Sequence, residues 1–206
     1  MSISQGIVDG IPQIILKINS CLLLEKPLFV FIAGGSCSGK TTLTKEIKSR
    51  LPQTSVMSMD DYFLDFDDPD LPRENGRISF DSPGSYHWFE MIEHLKKLNQ
   101  NESVLATVYN LTDNQRTKEK KEIFASDIVI IDGLFSINLG KEIDLNKITI
   151  FVDTPLRTRL KRRVFRDKGL ASENIIIHHF LCYIEPLYQK FVFPQLEFAD
   201  LVIKNE

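Results

Sequence analysis

Cysteine is scarce in this chain: of 206 residues only Cys21, Cys37 and Cys182 carry a thiol. They form neither a CxxC pair nor an even set, which argues against a disulfide framework and a cysteine-ligated zinc site. A reducing, cytoplasmic setting is the expectation. Long apolar runs are missing too. The longest near the start, IILKINSCLLL, is broken by Lys17, Asn19 and Ser20 and has no small-residue cleavage signature after it, so neither a membrane span nor a leader is expected. An excess of one charge is also absent. The formal net charge of −3 gives no reason to expect a nucleic-acid partner. With 43% hydrophobic and 26% charged residues the composition is that of an ordinary globular protein. The length suits one domain over residues 1–206.

What is present is unevenly placed. Asp60 to Asp70 holds six aspartates, and Arg157 to Lys168 holds seven Lys or Arg residues. Ile7, Ile11, Ile14, Ile15, Ile18 and Leu22 recur at helical spacing and predict an amphipathic helix within an N-terminal extension, residues 1–26. LFVFIA (28–33), DIVIID (127–132) and ITIFVD (148–153) read as strands buried on both faces. Helical patterns fall over 41–51, 86–98, 155–168 and 172 to about 193, the last with a bend expected at Pro186. Strands alternating with helices imply a parallel sheet joined by right-handed crossovers, hence an α/β fold. SVLATVYN (103–110) alternates and predicts a half-exposed strand in a hairpin off that sheet. Residues 65–77, with two prolines, a glycine and many charges, predict a long loop of the functional kind.

The stretch GGSCSGKTT (34–42) sits between the first buried strand and a helix pattern. Gly34, four residues, then Gly39, Lys40 and Thr41 match the phosphate-binding loop. The chemistry requires this composition. A helix N-terminus offers unpaired N–H groups and positive potential, and glycines let that backbone approach a polyphosphate without a Cβ in the way. Lys40 is expected to reach the terminal phosphates and Thr41 to ligate Mg²⁺. A carboxylate on a neighbouring strand is needed to complete octahedral oxygen coordination, and Asp132, Asp60 and Asp61 all lie at strand ends. Cys37 beside a helix N-terminus is expected to favour its thiolate.

These segments, together with SMDDYF (58–63), SFDSPGSYH (79–87), VYNLTDNQR (108–116), VIIDGLF (129–135), FVDTPLRTRLKRRVFRD (151–167) and YIEPLYQKFVFPQLEFADLVI (183–203), resemble the uridine kinase family of P-loop kinases, related to phosphoribulokinase and pantothenate kinase. The resemblance runs in family order over 28–203. It implies a P-loop parallel sheet flanked by helices, with a helical lid over about 155–180 and a small hairpin excursion. It also implies ATP and Mg²⁺ as donor and metal, a small nucleoside-like acceptor, and compatibility with a homo-oligomer.

Residue by residue, the resemblance assigns ATP binding to Gly34, Gly35, Ser36, Cys37, Ser38, Gly39, Lys40, Thr41, Thr42 and Arg162, and metal binding to Thr41 and Asp132. Asp60 falls at the general base, with Lys40 and Arg166 as its catalytic companions. Asp81 falls where ribose hydroxyls are held. Tyr109, Arg116 and Arg163 fall at substrate contacts, as do Phe63, Asn114 and His179. Spacings of three and four put Arg159, Arg162, Arg163 and Arg166 largely on one side of a lid helix.

The departures cluster on the base-reading side. Phe63 stands where the family usually has tyrosine, and Asn114 where it has histidine. Asp132 replaces glutamate, and the lid after Arg166 is short, with Lys168, Gly169 and Leu170 in place of Arg-Gly-Arg. Adjacent His178 and His179 point about 100° apart on a helix and make a poor metal pair. Phe180, Tyr183, Tyr188, Phe191 and Phe193 are expected to be core or lid-supporting. The reading that results is an ATP-dependent kinase of a ribonucleoside. Its alternatives are a kinase of another small alcohol (a phosphorylated sugar, pantothenate or nicotinamide riboside) and a nucleotide-binding regulatory module without turnover.

Overall fold

A computed structural model describes residues 5–74 and 76–206, so the first four residues of the N-terminal extension and Asn75 of the long loop lie outside the described residues. Five strands form one parallel sheet, in the order β2 (Thr54–Ser58), β7 (Ile128–Asp132), β1 (Leu28–Gly34), β8 (Lys147–Asp153), β9 (Leu201–Lys204). Central β1 is buried along its whole length, and its alternating side chains divide the core. Phe29, Phe31 and Ala33 face one layer with Val129, Ile131 and Phe151. Leu28, Val30 and Ile32 face the other with Ile128, Ile130, Ile148, Ile150 and Val152.

Helix α1 (Gln5–Leu22) and α2 (Lys40–Arg50) cover the second layer through Ile7, Ile11, Ile14, Ile18, Leu43 and Ile47. The helical spacing of isoleucines in the sequence is thus a buried stripe. Each fully buried isoleucine contributes about 1.5–3 kcal/mol of transfer free energy. Helix α3 (Trp88–Asn99), α4 (Ser136–Lys141) and the C-terminal turns cover the first layer with Met91, Leu95, Leu98, Ile137, Leu139, Tyr188 and Val192.

β5 (Val104–Asn110) and β6 (Gln115–Ile123) form the hairpin that the alternation predicts, separate from the main sheet. The long loop contains a tiny ladder of β3 (Arg73–Glu74) and β4 (Arg77–Ile78). Its acidic run has structural uses. Asp65 accepts from the Arg116 N–H, Asp67 from the Gln115 amide at 2.9 Å, and Asp68 from the Asp70 N–H at 2.9 Å, so the loop is laced to the hairpin turn and to itself.

One expectation changes. The helix from Ser172 is α6 (Glu173–His179), followed by wide π turns over Phe180–Ile184 and Tyr188–Val192 on either side of a short α7 (Glu185–Leu187), then a tighter 3₁₀ run to Phe198. Pro186 has no N–H for the preceding turn and its ring crowds the carbonyl four residues back. The chain meets this by widening its turns while keeping helical dihedrals. Of the aromatics expected to be core or lid-supporting, Phe180 and Tyr188 are buried, and Phe193 is 42% exposed with its ring 5.9 Å from that of Tyr188.

Candidate functional site

Because every strand of the sheet is parallel, the carboxyl ends of β1, β2, β7 and β8 open onto one edge, the edge where chain connections diverge on either side of β1. The residues with chemistry gather there. Between β1 and α2 the backbone makes a tight loop with two left-handed glycines, Gly34 at φ +148° and Gly39 at φ +105°. A Cβ on Gly34 would lie 2.6 Å from the Val152 carbonyl, and one on Gly39 would lie 2.5 Å from the Asn205 side chain. Glycine is therefore required at both for conformation and for space. Cys37, at φ +62°, also takes the left-handed region.

The loop is gripped from behind at one carbonyl. Ser38 O accepts from Thr154 Oγ1 at 2.9 Å, from Arg162 Nη1 at 3.2 Å and from the Asn205 amide. Arg162 also reaches the Cys37 carbonyl at 3.4 Å. Lys40 Nζ folds back over the loop to the Gly34 and Gly35 carbonyls, at 3.0 and 3.1 Å. Thr41 Oγ1 donates to Asp132 Oδ2 at 2.9 Å, while Thr42 is exposed on the same turn. A hydroxyl and a carboxylate held together beside a glycine cradle are hard oxygen donors of the kind Mg²⁺ takes alongside phosphate and water.

Asp60 follows β2 in a 3₁₀ turn (Met59–Tyr62), whose start is capped by the Ser58 hydroxyl accepting from the Asp60 N–H at 3.3 Å. Asp60 is an exposed residue, although protein atoms crowd its carboxyl. That crowding desolvates the charge and pushes the group up to about 6; Lys40 pulls it down, and Asp132, Asp61 and Asp81 add to the rise. Asp81, after the loop, is likewise raised by desolvation, against the pull of Arg163, His179, Lys40 and Arg166. Lys40, Asp60, Asp81 and Asp132 thus form one electrostatic unit around the loop.

Helix α5 (Leu156–Asp167) brings the arginines, but not all to the same place. Arg159 departs from the expected phosphate-facing row. It is 1% exposed, donates to the Thr154 carbonyl at 3.0 Å and to Glu185 Oε2 at 2.7 Å, and lies 3.9 Å from the Tyr188 ring centroid. Arg163 donates to Ser36 Oγ at 3.3 Å and pairs with Asp167. Arg166 is exposed and meets Asp167 Oδ1 at 2.7 Å. Burial alone would raise the Asp167 carboxyl, yet the hydrogen bond from Arg166 and the charges of Arg163 and Arg166 hold it below its usual range. The sequence reading gave Asp167 no role, although its i,i+4 spacing from Arg163 is a legible signal.

The remaining expected positions lie on or against the hairpin, apart from His179 on α6. Phe63 is 7% exposed and packs against Tyr86, Phe80 and Tyr109 at centroid distances of 4.4, 5.3 and 5.5 Å. Tyr109 is also 7% exposed and spends its hydroxyl on the Leu64 carbonyl at 3.1 Å. Asn114 is a hairpin-turn residue at φ +51° whose carbonyl accepts from Phe66 N–H at 2.9 Å. Arg116 is held by Glu90 at 2.7 and 2.8 Å and by Thr107 Oγ1 at 2.8 Å; Glu90 is a partner the sequence did not reveal. His179 stacks on Tyr183 at 5.6 Å, and burial holds its imidazole below the ordinary range, with Arg163 adding to that and Asp81 opposing it. No cluster of three metal-ligating side chains occurs among the described residues, His178 and His179 included.

Comparison with known proteins shows the family. Residues 29–206 match the Phosphoribulokinase / Uridine kinase family. A uridine kinase from Leuconostoc citreum is 30% identical over 184 residues, spanning 86% of this chain and 87% of its own length. One from Chlamydia pneumoniae is 31% identical over 186 residues, spanning 88% and 83%. A solved structure from Silicibacter sp. TM1040, named as a candidate fructose transport system kinase, shares the fold with a TM-score of 0.68 at 19% identity, covering 90% of this chain and 97% of that one. No helix among the described residues is long and apolar enough to cross a membrane. The chain belongs to the phosphoribulokinase / uridine kinase family and is an ATP-dependent P-loop kinase of a small-molecule substrate.

Proposed function

We propose that the protein transfers the γ-phosphoryl group of ATP to the 5′-hydroxyl of a ribonucleoside, uridine or cytidine. The observation that carries the reading is Asp60, raised to about 6 within electrostatic reach of Lys40 on the loop side and Asp81 on the other. A carboxylate with that affinity is ionised at neutral pH and still able to take a proton, which is what a general base requires.

The rest of the site divides around it. Residues 34–42 cradle the donor phosphates, with Lys40 leaving its carbonyl partners for the β and γ oxygens. Thr41 and Asp132 would hold Mg²⁺, and the ion would supply neutralising charge for the phosphate oxygens. Arg163 and Arg166, oriented by Asp167, face the transferring group from the lid over about 155–180, and Arg162 holds the loop's shape from behind. Asp60 orients the acceptor hydroxyl and accepts its proton, while Asp81 accepts from ribose hydroxyls. Positioning and electrostatics dominate phosphoryl transfer, so a site made of fixed charges suffices.

Base recognition is the weaker side. Phe63 offers no hydroxyl and is enclosed by aromatic rings, and Asn114 lies at a hairpin turn. These two positions favour the second reading, a kinase of another small alcohol. A site without a dedicated hydrogen bond discriminates poorly. The expected kcat/KM ratio between uridine and the next ribonucleoside is about tenfold or less. ADP release with uridine, cytidine, 2′-deoxyuridine, nicotinamide riboside, pantothenate and a sugar phosphate decides between the readings. Turnover confined to nicotinamide riboside, pantothenate or the sugar phosphate would overturn the uridine or cytidine assignment. Tight nucleotide binding with no turnover on any acceptor would leave a regulatory module.

A further inference from the structure

Tyr86 is 4% exposed, and its hydroxyl has no hydrogen-bond partner among the described residues. The ring is fixed from several sides. It stacks on Phe63 at 4.4 Å with 29° between planes, meets Phe135 edge-on at 5.7 Å and Trp88 at 6.3 Å. Its backbone bridges to Phe63 in antiparallel fashion, and its carbonyl accepts from Trp88 N–H at 2.9 Å. The hydroxyl therefore cannot seek a partner by swinging the ring. An unpaired buried hydroxyl is costly, and phenylalanine would pack the same rings without that cost. Tyr86 is tied to both acids through the chain: its stacking partner Phe63 caps the turn Met59–Tyr62 that carries Asp60, and the short 3₁₀ turn Pro83–Ser85 lies between Asp81 and Tyr86. Desolvation, then Asp60 and Asp81, raise its phenol well above the ordinary value, so it is protonated and available as a donor.

We propose that Tyr86 is a specificity-determining residue whose hydroxyl donates a hydrogen bond to a sugar hydroxyl of the acceptor. The proposal rests on the ribonucleoside reading above. It explains why a polar atom is kept inside an otherwise apolar aromatic cluster, and it places ribose recognition on two independent groups, an acceptor at Asp81 and a donor at Tyr86.

Tyr86→Phe keeps the ring and its packing, so it isolates the hydroxyl. Steady-state kinetics of both enzymes with uridine, 2′-deoxyuridine and 3′-deoxyuridine give the test, with the KM for ATP and the melting temperature as controls. The expected result is a loss of about tenfold in kcat/KM for uridine, the size of one good hydrogen bond, with the KM for ATP unchanged and the melting temperature of the unliganded variant at or above the parent's. The loss should shrink to about twofold or less with whichever deoxy analogue lacks the partner hydroxyl. An unchanged kcat/KM, or the same loss with uridine and both analogues, overturns the proposal. If the parent enzyme phosphorylates only a non-nucleoside alcohol, the ribonucleoside reading falls separately. Tyr86→Phe is then judged on that alcohol, where a tenfold loss at constant KM for ATP upholds the contact and no loss overturns it.

Discussion

The Thr41 hydroxyl donates to Asp132 across 2.9 Å, tying the first turn of α2 to the carboxyl end of β7. The two residues are 91 positions apart, and only the parallel pairing of β1 with β7 brings them together. Asp132→Asn keeps an acceptor for Thr41 but removes the charge that draws a cation. The expected outcome is a Mg²⁺ requirement raised about tenfold or more, with the fold intact. A Mg²⁺ titration of turnover at fixed ATP checks it.

Lys40→Ala is expected to reduce kcat by about 10²-fold or more, because a preorganised charge at developing phosphoryl oxygens is lost. Stability should change little, since Lys40 is only partly buried and its partners are loop carbonyls. Turnover within tenfold of the parent would remove Lys40 from the phosphate site.

Asp60 links activity to pH and to stability with opposite signs. Its folded value of about 6 lies above the ordinary 3.8, so the folded state binds more protons than the unfolded state between those values. Stability therefore falls as pH rises from about 4 to 6, while the base becomes competent over the same rise. Asp60→Asn is expected to lower kcat while leaving ATP binding unchanged, and to melt above the parent at pH 7.5, with the gap closing by pH 4. In the parent, kcat/KM for the acceptor should drop about tenfold per pH unit below 6. Thermal melts and a pH–rate profile measure the two effects independently.

Asp167 carries the reverse sign. Held below the usual carboxylate range by Arg166 and Arg163, it stabilises the fold above the unfolded value and loses that contribution as pH falls through its own. Asp167→Asn should cost about 1 kcal/mol or less at pH 7, because Arg166 is exposed and solvent screens the pair. It should also lower kcat more than it changes the KM for ATP, because Arg163 and Arg166 lose their common anchor. Denaturant unfolding and steady-state kinetics on the same variant test both parts.

The sequence alone determined the α/β class, the three central strands, the phosphate loop and the hairpin, because each rests on short-range physics. A double-faced apolar run has few other uses, and Gly34, Gly39 and Lys40 are dictated by backbone space and charge within one turn. The isoleucine stripe of α1 was legible for the same reason. What only the tertiary structure decided was which way the polar groups point. Arg159 and Arg162 are three residues apart on one helix, yet one is buried against Glu185, 26 residues away, and the other holds the Ser38 carbonyl 124 residues away. Helical periodicity assigns residues to a face, but whether that face meets solvent, phosphate or core depends on what packs against it. The short α7 supplies Glu185 and the wide turn after it Tyr188, and together they take Arg159 inward. The unpaired hydroxyl of Tyr86 and the clamp of Arg116 by Glu90 were hidden likewise, since a side chain's partners, or their absence, exist only after distant segments have been brought together.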